Sequence, residues 1–64
     1  MPIVTIQQAP RSIELKRELV RRITDAVAGT YQLPPEAVQV WINETPTESW
    51  GIGGILMSER KSRD

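Results

Sequence analysis

The chain opens MPIVTIQQ, and the proline at position 2 is the residue with the most chemistry in reach. Proline is small enough for the methionine before it to be removed, so the mature chain is expected to begin with a free secondary amine at Pro2. An α-amino group titrates near about 7.7 to 8.0, closer to neutrality than any side chain present here, and such an amine can act as a base. The 64 residues include no His and no Cys. Ser-His-Asp triads, Cys-His pairs, disulfides and the usual transition-metal ligands are therefore excluded within one chain. A general base has to be a carboxylate, a Lys or the terminal amine.

A base needs a fixed place, and the neighbouring residues supply one. Ile3 to Gln7 (IVTIQ) is β-branched, is bounded by Ala9-Pro10 and predicts a short strand that starts where the chain starts. Pro2 at its head holds the amine at a sheet end. From Ser12 the period changes. Leu15, Leu19, Ile23, Ala26 and Val27 recur at helical spacing, Ser12 is a candidate N-cap, and Glu14 lies in the first turn where the helix dipole favours a negative charge. Gly29 and Leu33-Pro34-Pro35 end the helix by about Gln32. Val38 to Glu44 (VQVWINE) then alternates Val38, Val40 and Ile42 with Gln39, Trp41 and Asn43, the pattern of a second strand.

Strand, helix, strand is a βαβ unit with parallel strands joined by a right-handed crossover, so the fold class is α/β. The whole chain, residues 1–64, reads as one small domain. Such a domain buries only about 60% of the surface its unfolded chain exposes. With open sheet edges and Trp41 projecting from the face opposite the helix, a second copy is expected to complete the sheet.

Eight basic residues balance eight acidic ones, so no net field draws the chain to nucleic acid or to an anionic membrane. Lys16, Arg17, Arg21 and Arg22 are interleaved with Glu14 and Glu18 at three- and four-residue spacings and read as a solvated face. No apolar run approaches a membrane span and no signal-peptide pattern is present, so a soluble cytoplasmic protein is expected. Gly51, Gly53 and Gly54 lack the Lys-Ser or Lys-Thr pair of a phosphate loop, and a tight C-terminal hairpin is the expectation there, with Ile52 and Ile55 packing on a neighbour. Ser58 to Asp64 reads as a frayed tail.

Taken together, Met1-Pro2-Ile3, Arg11-Ser12 at the helix start, Val38-x-Val40 and Trp50-Gly51-Ile52-Gly53-Gly54 resemble the 4-oxalocrotonate tautomerase family over nearly the whole chain. The resemblance implies a homohexamer, a trimer of βαβ dimers, with each site opening around one amino-terminal proline and needing no cofactor or metal. It implies a small carboxylate substrate, an enol or conjugated keto acid of the kind met in aromatic catabolism. Pro2 matches the catalytic proline and Arg11 the arginine before the helix, while Trp50 stands where the family commonly has phenylalanine. Cationic Arg11 and apolar Trp50 would each lower the amine's pKa, and Arg11 can grip a carboxylate through two parallel hydrogen bonds.

Two departures bear on the substrate. Gln39 stands where the best-known members carry a second arginine, and an amide donates a hydrogen bond without supplying charge. The stretch from Pro2 to Arg11 is one residue shorter than the family pattern and carries Ala9-Pro10 in place of a glycine. Two alternatives to a tautomerase follow. One is a hydratase- or dehalogenase-like relative in which Pro2 is the acid and Glu44 or Glu48 activates water, though Glu44 reads more simply as a strand-end surface residue. The other is a non-catalytic partner subunit of a mixed hexamer in which another chain brings the missing arginine.

Overall fold

The computed structural model describes residues 1–60; the rest of the tail expected to be frayed lies outside the described residues. Strand β1 (Ile3–Gln8), helix α1 (Ile13–Tyr31) and strand β2 (Gln39–Glu44) form the βαβ unit expected from the sequence. The two strands pair in parallel, from Ile3 opposite Gln39 to Gln8 opposite Glu44. Val38 is not part of β2; it closes the 3-10 turn Pro35–Ala37 by donating its N–H to the Pro35 carbonyl.

Local chemistry sets the ends of α1. The Ser12 hydroxyl accepts the Leu15 N–H at 3.3 Å and Glu14 occupies the first turn. At the other end Gln32 adopts a left-handed conformation (φ 57°) and donates its N–H to the Ala28 carbonyl, while Pro34 and Pro35 prevent any continuation. Gly29 stays inside the helix. Leu19, Val20, Ile23, Val27 and Ala28 turn inward, whereas Leu15 and Ala26 from the expected stripe are exposed. Positions four apart drift by about 40° around a helix, so those two fall at one edge of the stripe, beyond the reach of a two-stranded sheet.

The hairpin forms as expected. Strands β3 (Gly51–Ile52) and β4 (Ile55–Leu56) are antiparallel, joined by Gly53 (φ 62°) and Gly54 (φ 86°), whose left-handed conformations glycine adopts without strain. Beyond it the chain does not fray at once: Met57–Glu59 forms a 3-10 turn, and the Met57 N–H donates to the Trp50 carbonyl at 2.6 Å.

A single chain builds little core. Among the described residues only Ala28 is buried, and Ile3, Trp41, Ile52 and Ile55 stand between 44% and 54% exposed. Val4, Ile6, Val40 and Ile42 are half-buried on the helix side of the sheet, while Ile3 and Trp41 lie on the open side. No described helix is long and apolar enough to cross a membrane.

Candidate active site

The parallel register makes Pro2 and Gln39 neighbours. The Gln39 N–H donates to the Pro2 carbonyl at 3.0 Å, one step beyond the Ile3–Gln39 pair, so the head of β1 is tied to the head of β2. The Gln39 side chain is held at both ends: Trp41 Nε1 donates to its Oε1 at 3.3 Å, and its Nε2 donates to Met1 Sδ at 3.4 Å.

Arg11 and Trp50 lie at the other end of the sheet. Arg11 belongs to the connection between β1 and α1 and lines an open cleft of about 230 Å³ with Gln8, Leu15, Lys16 and Leu19. Trp50 follows the 3-10 turn Thr47–Ser49 and lines a second cleft of about 290 Å³ with Gln7, Gln8, Thr45, Ser49 and Gly51. Gln8 borders both, and its Nε2 is buried without a hydrogen-bond partner among the described residues. The six residues of β1 span roughly 20 Å at about 3.3 Å each. One protomer thus keeps Pro2 and Gln39 at one end of the sheet and Arg11 and Trp50 at the other.

Glu44, at the end of β2, is engaged. Its Oε2 accepts the Arg11 backbone N–H at 3.1 Å and pairs with Lys16 Nζ at 2.9 Å. The Lys16 ammonium first, and then the Arg11 N–H, hold its carboxyl below the usual carboxylate range. The Arg11 guanidinium makes no hydrogen bond or ion pair among the described residues. On the outer face of α1, Glu18 pairs with Arg21 and Arg22, each at 2.6 Å, which is the solvated face the spacing predicts. No three His, Cys, Asp or Glu side chains converge as a metal site among the described residues.

The family model for tautomerase enzymes matches residues 2–60. The chain belongs to the tautomerase family. It is 43% identical over 61 residues to a probable tautomerase of Halalkalibacterium halodurans, covering 94% of this chain and all of that one. To the 2-hydroxymuconate tautomerase of Comamonas testosteroni it is 37% identical over 49 residues, 77% of this chain and 78% of that protein. Among solved structures, a 4-oxalocrotonate tautomerase homologue superposes with a TM-score of 0.86 at 33% identity, covering 97% of this chain and 100% of the other. A heterohexameric 4-oxalocrotonate tautomerase from Chloroflexus aurantiacus superposes with a TM-score of 0.77 at 33% identity, covering 95% and 98% respectively.

Within this tautomerase frame, sequence reasoning named Pro2, Arg11, Gln39 and Trp50 but missed what holds two of them. Trp41 reads from the sequence as a residue of the open sheet face, and its two-residue spacing from Gln39 already places both side chains on that face. Lys16 reads as one of a charged cluster, yet it is half-buried against Glu44. No sequence spacing signals that pair, because only the crossover brings α1 to the end of β2.

Proposed function

We propose that the protein is a cofactor-independent tautomerase that moves a proton in an enol or 2-hydroxydienoate keto acid, with Pro2 as its base and then its acid once Met1 is removed. The observation that carries this reading is the Gln39 N–H to Pro2 carbonyl bond at the head of a parallel strand pair, in a chain of the tautomerase family. That bond anchors the residue that would carry the amine and sets a neutral donor beside it. The amine takes the proton from the enol oxygen and returns it to carbon, so nothing is oxidised or reduced.

Arg11 is the proposed carboxylate anchor. Its guanidinium, unpaired among the described residues, can donate two parallel hydrogen bonds to a carboxylate, fixing the substrate for proton transfer. Trp50 is the proposed apolar wall that excludes water from the amine and so favours its neutral form. Because one protomer separates these groups from Pro2, the complete site requires at least two copies. A cytoplasmic homohexamer, a trimer of dimers, is the assembly we propose, and the exposed Ile3, Trp41, Ile52 and Ile55 are surfaces that such an assembly would cover.

Gln39 favours one second reading, that of a partner subunit in a mixed hexamer, and the likeness to a heterohexameric tautomerase supports keeping it. Processed protein of verified intact mass, assayed by ultraviolet absorbance on 2-hydroxymuconate and on phenylenolpyruvate beside Pro2→Ala, tests the main proposal. Ketonisation that collapses in Pro2→Ala supports it, and activity in a homohexamer of measured native mass eliminates the partner-subunit reading. An unchanged rate in Pro2→Ala overturns the role of the proline.

A further inference from the structure

Gln8 ends β1 opposite Glu44, and both residues fall on the helix side of the sheet. Its main chain is fixed there, because its carbonyl accepts the Thr45 N–H at 2.9 Å. Its side-chain amide is less committed: Nε2 is buried with no hydrogen-bond partner among the described residues. Gln8 still helps to hold the Glu44 carboxyl low, behind Lys16 and the Arg11 N–H, so its NH₂ is turned inward toward that carboxylate without forming a bond to it. An amide with its NH₂ turned inward shows its carbonyl oxygen outward, and that oxygen can only accept. Outward lie the two clefts that Gln8 borders, and they differ in kind. The first carries the cations Arg11 and Lys16, whereas the second sets Gln7 and Ser49 around Trp50 and has no charged side chain. A carboxylate suits the first, and a flat, uncharged tail suits the second.

We infer that Gln8 is a specificity-determining residue whose carbonyl oxygen accepts a hydrogen bond from a hydroxyl on the tail of a monocarboxylate spanning both clefts, so that the site selects hydroxyaryl enol acids over unsubstituted ones. The carboxylate sits on Arg11, the ring lies against the Trp50 indole, and Gln8 stands where the two clefts meet. A hydroxyl that donates to Gln8 Oε1 leaves the amide's inward sense undisturbed. A hydrocarbon tail instead covers that oxygen and leaves it unpaired, and a methoxy group, which has no proton to donate, meets it lone pair to lone pair. The strand end keeps the acceptor in place, since the Thr45 bond and the pairing with Glu44 fix position 8 from both sides.

This role rests on Arg11 and Trp50 being the substrate grips proposed above, and its first test uses the same ketonisation assay. The processed protein is expected to turn over the enol of 3- or 4-hydroxyphenylpyruvate with a kcat/KM about fivefold above that for phenylenolpyruvate, the worth of one neutral hydrogen bond. The matching methoxy analogue is expected to show no such gain. Gln8→Leu, close in size and unable to accept, is expected to bring the ratio to about one in an assembly of parental native mass. No preference for either hydroxyl isomer in the parent, an equal gain from methoxy, or a preference that survives in Gln8→Leu overturns the inference.

Binding separates this role from that of Pro2 and needs no Gln8 variant. The 3- or 4-hydroxyphenyl derivative of 3-phenylpropanoate, a saturated acid that cannot tautomerise, is expected to bind the processed protein about fivefold more tightly than 3-phenylpropanoate itself. In the ¹⁵N–¹H spectrum the hydroxylated acid is expected to move the Gln8 NH₂ pair, as its oxygen takes up a donor, and the unsubstituted acid is not. Equal affinities, or a Gln8 pair that responds alike to both acids, overturns the inference. The same hydroxyl preference in binding, with no Pro2-dependent turnover of any enol, removes the proline mechanism and keeps Gln8 as the selecting group.

Discussion

The Arg11 backbone N–H donates to Glu44 Oε2 at 3.1 Å, across 33 positions of sequence. Through this bond the end of β2 holds the connection that carries Arg11, while Lys16 balances the Glu44 charge and the Arg11 guanidinium makes no ion pair among the described residues. Glu44→Ala is expected to loosen that connection and raise KM for a carboxylate substrate roughly fivefold, with a Tm lowered by a few degrees. Glu44→Gln retains an oxygen acceptor and is expected to lose less in both. If Glu44 instead activated water, both substitutions would abolish turnover, which steady-state kinetics and thermal melts on the two variants distinguish.

Subunit mixing reads out the separation of Pro2 from Arg11. Pro2→Ala and Arg11→Ala are each expected to be nearly inactive as pure assemblies. Unfolded together and refolded, they are expected to regain activity at about a quarter of the sites, since in a random mixture that fraction joins an intact Pro2 from one chain to an intact Arg11 from another. No recovery in refolded mixtures of confirmed native mass would require both residues to serve the same site from one chain.

Acid should destabilise the fold in a defined window. The hydrogen bonds from Arg21 and then Arg22 lower the Glu18 pKa from 4.5 to about 2, and the Lys16 and Arg11 contacts lower that of Glu44. A carboxyl with a depressed folded pKa adds stability that is complete above its unfolded value and disappears as pH falls through its folded value. Tm is therefore expected to stay flat from neutrality to about pH 5 and to fall between there and about pH 2. The pairs around Glu18 are exposed, so 1 M salt, roughly a 3 Å screening length, is expected to shrink their share of the decline. Thermal melts of the parent and Glu18→Gln across this range check it, the variant losing less on acidification.

Two backbone positions give opposite expectations. Gln32 caps α1 with a φ of 57°, which glycine adopts at lower cost, so Gln32→Gly is expected to stabilise by roughly 0.5 to 1 kcal/mol. Gly54, at φ 86°, has open space around the position a Cβ would take, so Gly54→Ala suffers only from its backbone conformation, at a cost of about 1 kcal/mol. Denaturant midpoints of the two variants should move in opposite directions.

Much of what is governed by neighbours along the chain was legible in advance: β1 headed by Pro2, the Ser12 cap, α1 ending before its proline pair, the alternation of β2 from Gln39 onward, and the glycine hairpin; the short 3-10 turns that take in Val38 and Met57–Glu59 were not. Side-chain period, capping and backbone preference act over a few residues, and their signals lie side by side in the sequence. The family pattern added Arg11, Gln39 and Trp50 as candidates without their spatial grouping. Three features required the tertiary structure. The parallel register set Gln39 on the Pro2 carbonyl and its amide beneath Trp41. The crossover brought Lys16 and the Arg11 N–H to Glu44. The length of β1 parted Pro2 from Arg11 and Trp50. Each depends on how distant segments pack, and a string of residues specifies that only once the chain has closed on itself.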